Sequence, residues 1–220
     1  SDTLSTVSRS YAREIQMPEN GYGLDWLVRQ RANRLIGITN GVDYELWNPQ
    51  TDAELKHHFN IGDMDGKHEC KRSLLEEFSL PVKMDRPIFA NITRLTAQKG
   101  IDLMMQVAAE ILATGSYIIS LGSGEKRYED FWQSLRDYAP QQVGVFRGYS
   151  ESLAHKIEAG ADMFLMPSKF EPCGLNQMYS LRYGTVPIVR AVGGLDDTVQ
   201  NYDAVNANGN GFKFGSYRAD

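Results

Sequence analysis

Cysteine is nearly absent: Cys70 and Cys173 are the only two in 220 residues. That is too few for a disulfide framework and fits a reducing compartment. No apolar run approaches the roughly 20 residues needed to cross a bilayer. Ser1-Asp2-Thr3-Leu4 lacks the basic-then-apolar pattern of a secretory signal. A soluble, intracellular protein is the expectation. An excess of cations is also missing. The formal net charge of -5 removes any general attraction to nucleic acid or anionic membrane, so basic residues that matter must act locally.

Several catalytic signatures are missing as well. There is no Gly-x-Ser-x-Gly elbow and no Gly-x4-Gly-Lys-Ser/Thr phosphate loop. Gly122-Ser123-Gly124 begins like a dinucleotide fingerprint, but Arg127 stands at the third glycine position, which argues against a nicotinamide site. His57, His58, His68 and Cys70 cluster without paired metal-ligand spacing. A solvated loop accounts for them, and no metal or other cofactor is expected. Internal repeats and low-complexity tracts are absent too.

What is present is ordinary in bulk and regular in pattern. A hydrophobic fraction of 42% and a charged fraction of 23% suit a globular protein. From Pro87 onward, short apolar runs alternate with amphipathic stretches. Strands are expected at 88–92, 117–121, 143–146, 163–166 and 186–189. Helices are expected at 101–112, 128–138, 153–159 and 175–182. Nearly continuous apolar strands separated by helices imply an α/β, Rossmann-like parallel sheet covered on both faces, from about Trp47 onward. Before it, 4–8 reads as a strand, 24–35 as a helix and 37–43 as an exit into a linker. The polar stretch 52–66 reads as a helix and an exposed loop. A further strand begins near Gly211-Phe212-Lys213-Phe214, and both ends read as cut from something longer.

Ligands of an open parallel sheet bind outside the carboxyl ends of its strands. Arg94 and Lys99 follow the first strand of this run, Tyr149 the third, and Glu171 and Gly174 the fourth, so all emerge on one edge. Each alone has a plainer explanation. Arg94 and Lys99 could be solvated charges, and Glu171 a helix-start carboxylate. Cys173 could be a small buried residue and Tyr149 a core aromatic. Together they suit a sugar joined to a diphosphate. Two cations hold phosphate oxygens, a carboxylate holds sugar hydroxyls, and Gly174 lets a helix start come close.

These residues lie in motifs that resemble the bacterial glycogen synthase and plant starch synthase family. The motifs are Tyr11-Ala-Arg-Glu-Ile, Ile38-Thr-Asn-Gly-Val-Asp43 with Trp47-Asn-Pro49, and Arg94-Leu-Thr-Ala-Gln-Lys-Gly100. Further on come Pro167-Ser-Lys-Phe-Glu-Pro-Cys-Gly-Leu175, Arg182-Tyr-Gly-Thr-Val-Pro187 and Gly193-Gly-Leu-Asp-Asp-Thr-Val199. The resemblance implies the C-terminal half of a GT-B glycosyltransferase with two Rossmann domains. Residues 1–45 would be the tail of the acceptor-side domain and linker, and 46–220 the donor-nucleotide domain. It implies retaining transfer of glucose from ADP-glucose to an α-1,4-glucan without a required metal, in the cytoplasm or, in a plant or alga, the plastid. By the same resemblance Arg94 and Lys99 hold the diphosphate and Glu171 the glucose. Gly174 and Leu175 would offer amides with Cys173 packed beside them, and Tyr149 would stack on adenine.

Two departures stand out. Asn176 stands where the family usually has Thr, and Tyr179 where many other GT-B enzymes carry a second Glu. The family's Lys-x-Gly-Gly loop is missing from these residues. A UDP-glucose-dependent transferase and a non-catalytic nucleotide-sugar binding module are the alternatives. Neither nucleic acid nor membrane is an expected partner.

Overall fold

The structure, a computed structural model, describes residues 2–219. Its main feature is a six-stranded sheet in which every pairing is parallel. The strands are β3 (Ile88–Ile92), β4 (Tyr117–Gly122), β5 (Val143–Arg147), β6 (Met163–Met166), β7 (Val186–Arg190) and β8 (Phe212–Phe214). Their spatial order is β5-β4-β3-β6-β7-β8. The chain therefore runs outward from β3 to one edge, returns to the middle at β6, and runs outward to the other. The order reverses between β3 and β6, and a doubly wound sheet opens its crevice at such a point.

Between these strands lie α4 (Ile101–Ala113), α5 (Lys126–Tyr138), α6 (Glu151–Gly160), α7 (Asn176–Arg182) and α8 (Gly193–Thr198). Alternate residues of the strands feed two cores. Ile88, Ala90, Tyr117 and Ile119 pack with Leu74, Leu75, Leu153 and Ile157 on one face. Ile118 and Val143 pack with Ile101, Met104, Tyr128 and Trp132 on the other. This two-sided burial makes the central strands almost continuously apolar.

The first part of the chain differs from expectation. The strand there is β1 (Leu4–Thr6), followed by a short helix α1 (Arg9–Glu14). The helix expected at 24–35 is only α2 (Asp25–Gln30), followed by a 3₁₀ turn and a strand β2 (Leu35–Gly37). No residue of α2 is buried, so no packed face extends the helix. Leu35–Gly37 instead gains ladder bonds beside Leu4–Thr6. The stretch 52–64 holds no helix; α3 spans Asp65–Glu77, where only Cys70, Lys71, Leu74 and Leu75 are buried. Residues 38–43 carry no regular structure.

The stretch that follows is pinned to the helices of the sheet by rings. Trp47 lies between His155 and Tyr179, with ring centroids 3.8 Å away on each side and planes tilted by 12° and 3°. Beneath them the buried Asp52 carboxylate accepts from His155 Nδ1 at 2.7 Å, from Tyr183 Oη and from Glu54 N at 2.9 Å. A second tie is reciprocal. Asp197 at the end of α8 accepts from Arg9 N, Ser10 N and Ser10 Oγ at the start of α1. Glu14 at the end of α1 accepts from Gly193 N at the start of α8, at 2.6 Å. Each helix thus supplies the carboxylate that the other's N-terminus requires. No helix among the described residues is long and apolar enough to cross a membrane.

One acid is buried between helices. Glu158 on α6 accepts from Ser180 Oγ at 2.7 Å, while its Oε1 has no partner. Burial pushes its carboxyl up to about 8. Nearby Lys67, whose Nζ donates to Thr185 Oγ1 and Ala159 O, is pulled down by burial to about 8. Because the folded value of Glu158 is raised, its contribution to stability is complete below about 4.5 and is lost as pH rises through 8. Lys67 has the opposite sign, its contribution present above 10.5 and lost as pH falls through 8. Glu158→Gln keeps the Ser180 contact and removes the acid. Urea unfolding at pH 5 and pH 8 is expected to show the variant gaining on the parent by at least about 1 kcal/mol over that interval.

Candidate nucleotide-sugar site

The two loops that leave β3 and β6 are joined above the point where strand order reverses. Lys169 N donates to Gln98 O at 2.8 Å, and Gln98 Nε2 donates to Phe170 O at 3.1 Å. Gly100 makes this approach possible. Its φ is 75°, and a Cβ there would lie 2.0 Å from Pro167 O. Across the junction, Lys99 Nζ and Glu171 Oε2 form an ion pair at 2.5 Å, with side chains only 19% and 8% exposed. Ser168 Oγ donates to the same Oε2 at 3.1 Å.

The following turn is held as firmly. Gln177 Nε2 donates to Cys173 O, Gly174 O and Thr198 Oγ1. Gly174 takes a φ of 70°, a value that favours glycine. Asn176 Nδ2 donates to Ile92 O at 3.1 Å and so ties the start of α7 to the end of β3. Gly194 N donates to Glu171 O at 3.0 Å. The backbone N–H groups of Gly174 and Leu175 donate to no group among the described residues. Burial pushes the Cys173 thiol up, against a backbone hydrogen bond with Asn40.

Enclosed by these loops is a cavity of about 390 Å³, large enough for part of a small ligand. Lys99, Glu171, Cys173, Gly174, Leu175 and Asn176 all line it, so six of the eight residues singled out from the sequence come together. Arg94 and Tyr149 do not line it. Both stand on the same sheet edge but exposed, Tyr149 at 73%. Arg94's guanidinium has no partner among the described residues.

Sequence reasoning missed the other lining residues, among them Val7, Asn40, Thr93 and Ser168. Asn40 and Ser168 sit inside quoted motifs, and that was their only signal. It also missed Lys99's direct pairing with Glu171. His57, His58 and His68 are exposed while Cys70 is buried. No group of three or more metal-ligating side chains occurs among the described residues.

A family model described as glycosyl transferases group 1 matches residues 74–220. The chain belongs to that family. Among curated relatives, glycogen synthase 1 of Geobacter sulfurreducens is 52% identical over 217 residues, covering 99% of this chain and 43% of the relative. Glycogen synthase of Anaeromyxobacter dehalogenans is 53% identical over 217 residues, covering 98% and 45%. The catalytic domain of starch synthase IV from Arabidopsis thaliana, solved with ADP and acarbose, is 37% identical at a TM-score of 0.92, covering 99% and 45%. Anabaena HepE with UDP and glucose shares the fold alone, at 14% identity and a TM-score of 0.64. The chain thus spans less than half the length of these curated relatives. The α/β, GT-B-type fold expected from the sequence is the one found.

Gly100 tests the junction directly. Gly115 also has a positive φ, 86°, but open space around it, so Gly115→Ala adds only backbone strain. Gly100→Ala must also displace Pro167. Denaturant unfolding is expected to place Gly100→Ala at least about 1 kcal/mol below Gly115→Ala.

Proposed function

We propose that this chain is the donor-nucleotide half of an ADP-glucose-dependent α-1,4-glucan synthase of the glycogen and starch synthase type. The observation that carries the reading is the Lys99–Glu171 pair inside the cavity where strand order reverses. A cation and a carboxylate so close offer adjacent contacts to a phosphate and to sugar hydroxyls. Identity of 52% to a glycogen synthase and the ADP bound to the starch synthase relative support the choice of donor. Residues 1–45 are read as the tail of the acceptor-side domain with its linker, and 46–220 as the donor domain. The separate β1–β2 pair and the Trp47 anchor support that division.

Chemistry follows from charge. The bond from glucose C1 to the diphosphate oxygen breaks, and its electron pair stays on that oxygen. A bond forms from C1, on the same face, to the hydroxyl oxygen at the glucan's non-reducing end, and the hydroxyl proton passes to the departing phosphate. ADP and a glucan longer by one glucose result. Lys99 and Arg94, with amides of Gly174 and Leu175, offset the charge growing on the leaving oxygen. Glu171 orders the sugar hydroxyls and favours the positive charge developing at C1. Tyr149 offers its exposed ring to the base. Asn176, committed to Ile92 O, orders the turn.

Calorimetric titration of the chain with ADP-glucose, UDP-glucose and NAD tests the donor. Binding of ADP-glucose in preference to the others is expected, and preference for UDP-glucose would overturn the base assignment. Because half a cleft cannot hold both substrates in reacting geometry, the isolated chain is expected not to extend glycogen. In the full-length enzyme, Arg94→Ala, Lys99→Ala and Glu171→Gln are each expected to lower turnover about a hundredfold or more, a much larger effect than their effect on stability. Near-normal turnover would reduce Glu171 to a helix-start carboxylate worth about 0.3–1 kcal/mol of stability.

A further inference from the structure

The Glu171 carboxylate is held by one oxygen. Oε2 takes both the Lys99 ammonium and the Ser168 hydroxyl, while Oε1 accepts no hydrogen bond among the described residues. The two donors differ in what an anionic ligand would do to them. Lys99 belongs to the opposite loop, ends a flexible stem, and lines the cavity with a full positive charge. A phosphate entering that cavity competes with Glu171 for it. Ser168 is neutral, 1% exposed, and on Glu171's own loop. The backbone of the next residue is clamped, because Arg190 Nη1 donates to Lys169 O at 2.5 Å and Lys169 N donates to Gln98 O at 2.8 Å.

We propose that Ser168 is a positioning residue, which keeps the Glu171 carboxylate aimed at the sugar while Lys99 is handed from Glu171 to a donor phosphate. The inference rests on reading the cavity as a nucleotide-sugar site. In the empty site Lys99 neutralises the carboxylate and holds it, so Ser168 is redundant there. Once Lys99 has moved to phosphate, the Ser168 hydroxyl is the remaining side-chain donor on Oε2. The carboxylate then keeps its orientation, with Oε1 free to accept from a sugar hydroxyl. Loss of Ser168 should therefore leave the empty protein and its affinity for ADP alone, and appear only in the step that needs an oriented Glu171.

The test is a double-mutant cycle in the full-length enzyme with Ser168→Ala, Glu171→Gln and both. Each protein is assayed below its unfolding transition, with ADP affinity measured alongside. Ser168→Ala is expected to lower kcat about tenfold with KM for ADP-glucose and affinity for ADP changed less than about twofold. In the Glu171→Gln background the same change is expected to lower kcat by less than about twofold, because the group it orients is already lost. An unaltered kcat in Ser168→Ala overturns the inference. So does a loss of the same size in both backgrounds, which would mark Ser168 as acting elsewhere. Near-normal turnover in Glu171→Gln alone overturns the site reading itself, and the inference with it.

Discussion

Two loops that leave neighbouring parallel strands in the same direction must share the space above the sheet, and here they share it through an ion pair and a glycine set against a carbonyl. Give Gly100 a Cβ, and the loops after β3 and β6 can no longer occupy their positions; the pair between Lys99 and Glu171 closes the same junction. Much else depends on that contact. It sets where the turn at Gly174 begins, where α7 meets the end of β3, and what shape is left between them.

Such a pair is a weak source of stability. Taking both charges out of water costs several kcal/mol, which their mutual attraction only partly offsets. Well-packed apolar side chains would hold the loops together at less expense. The arrangement makes better sense as a store of charge. Without ligand, cation and carboxylate satisfy one another, so neither is left buried and unpaired. With ligand, each can find a different partner inside the same cavity. A protein of net charge -5 can thus present a cation to an anionic ligand without a basic surface.

Where the chain builds structure from local apolar runs, the sequence was legible. Strands β3 to β7 and helices α4 to α7 fall within a residue or two of expectation, because burial on both faces makes each strand a continuous apolar word. The shared edge of the loops follows from parallel pairing alone. The illegible parts are fixed by partners distant in sequence. The stretch 52–64 is ordered by Asp52 reaching residues 103 and 131 positions away, and nothing in its own composition announces that. Helices α1 and α8 are too short to show a period. Side-chain reach was equally hidden. Loop position put Arg94 and Tyr149 on the same edge as the cavity, but spacing does not encode how far each side chain is exposed. Ser168 was hidden by being a serine, a residue too common to signal anything until a carboxylate is found against it.

The reciprocal capping of α1 and α8 has a consequence for how the molecule opens. A helix of six residues has little tendency to persist alone. If α1 frays, Gly193 loses its acceptor; if α8 frays, Arg9 and Ser10 lose theirs. Segments separated by 179 to 188 positions are therefore one cooperative unit, and their amides should exchange with solvent at a common rate that neither helix would show by itself. Two carboxylates close the stretch between α1 and α8 into a loop without a covalent bond, whose clasp releases both helices together.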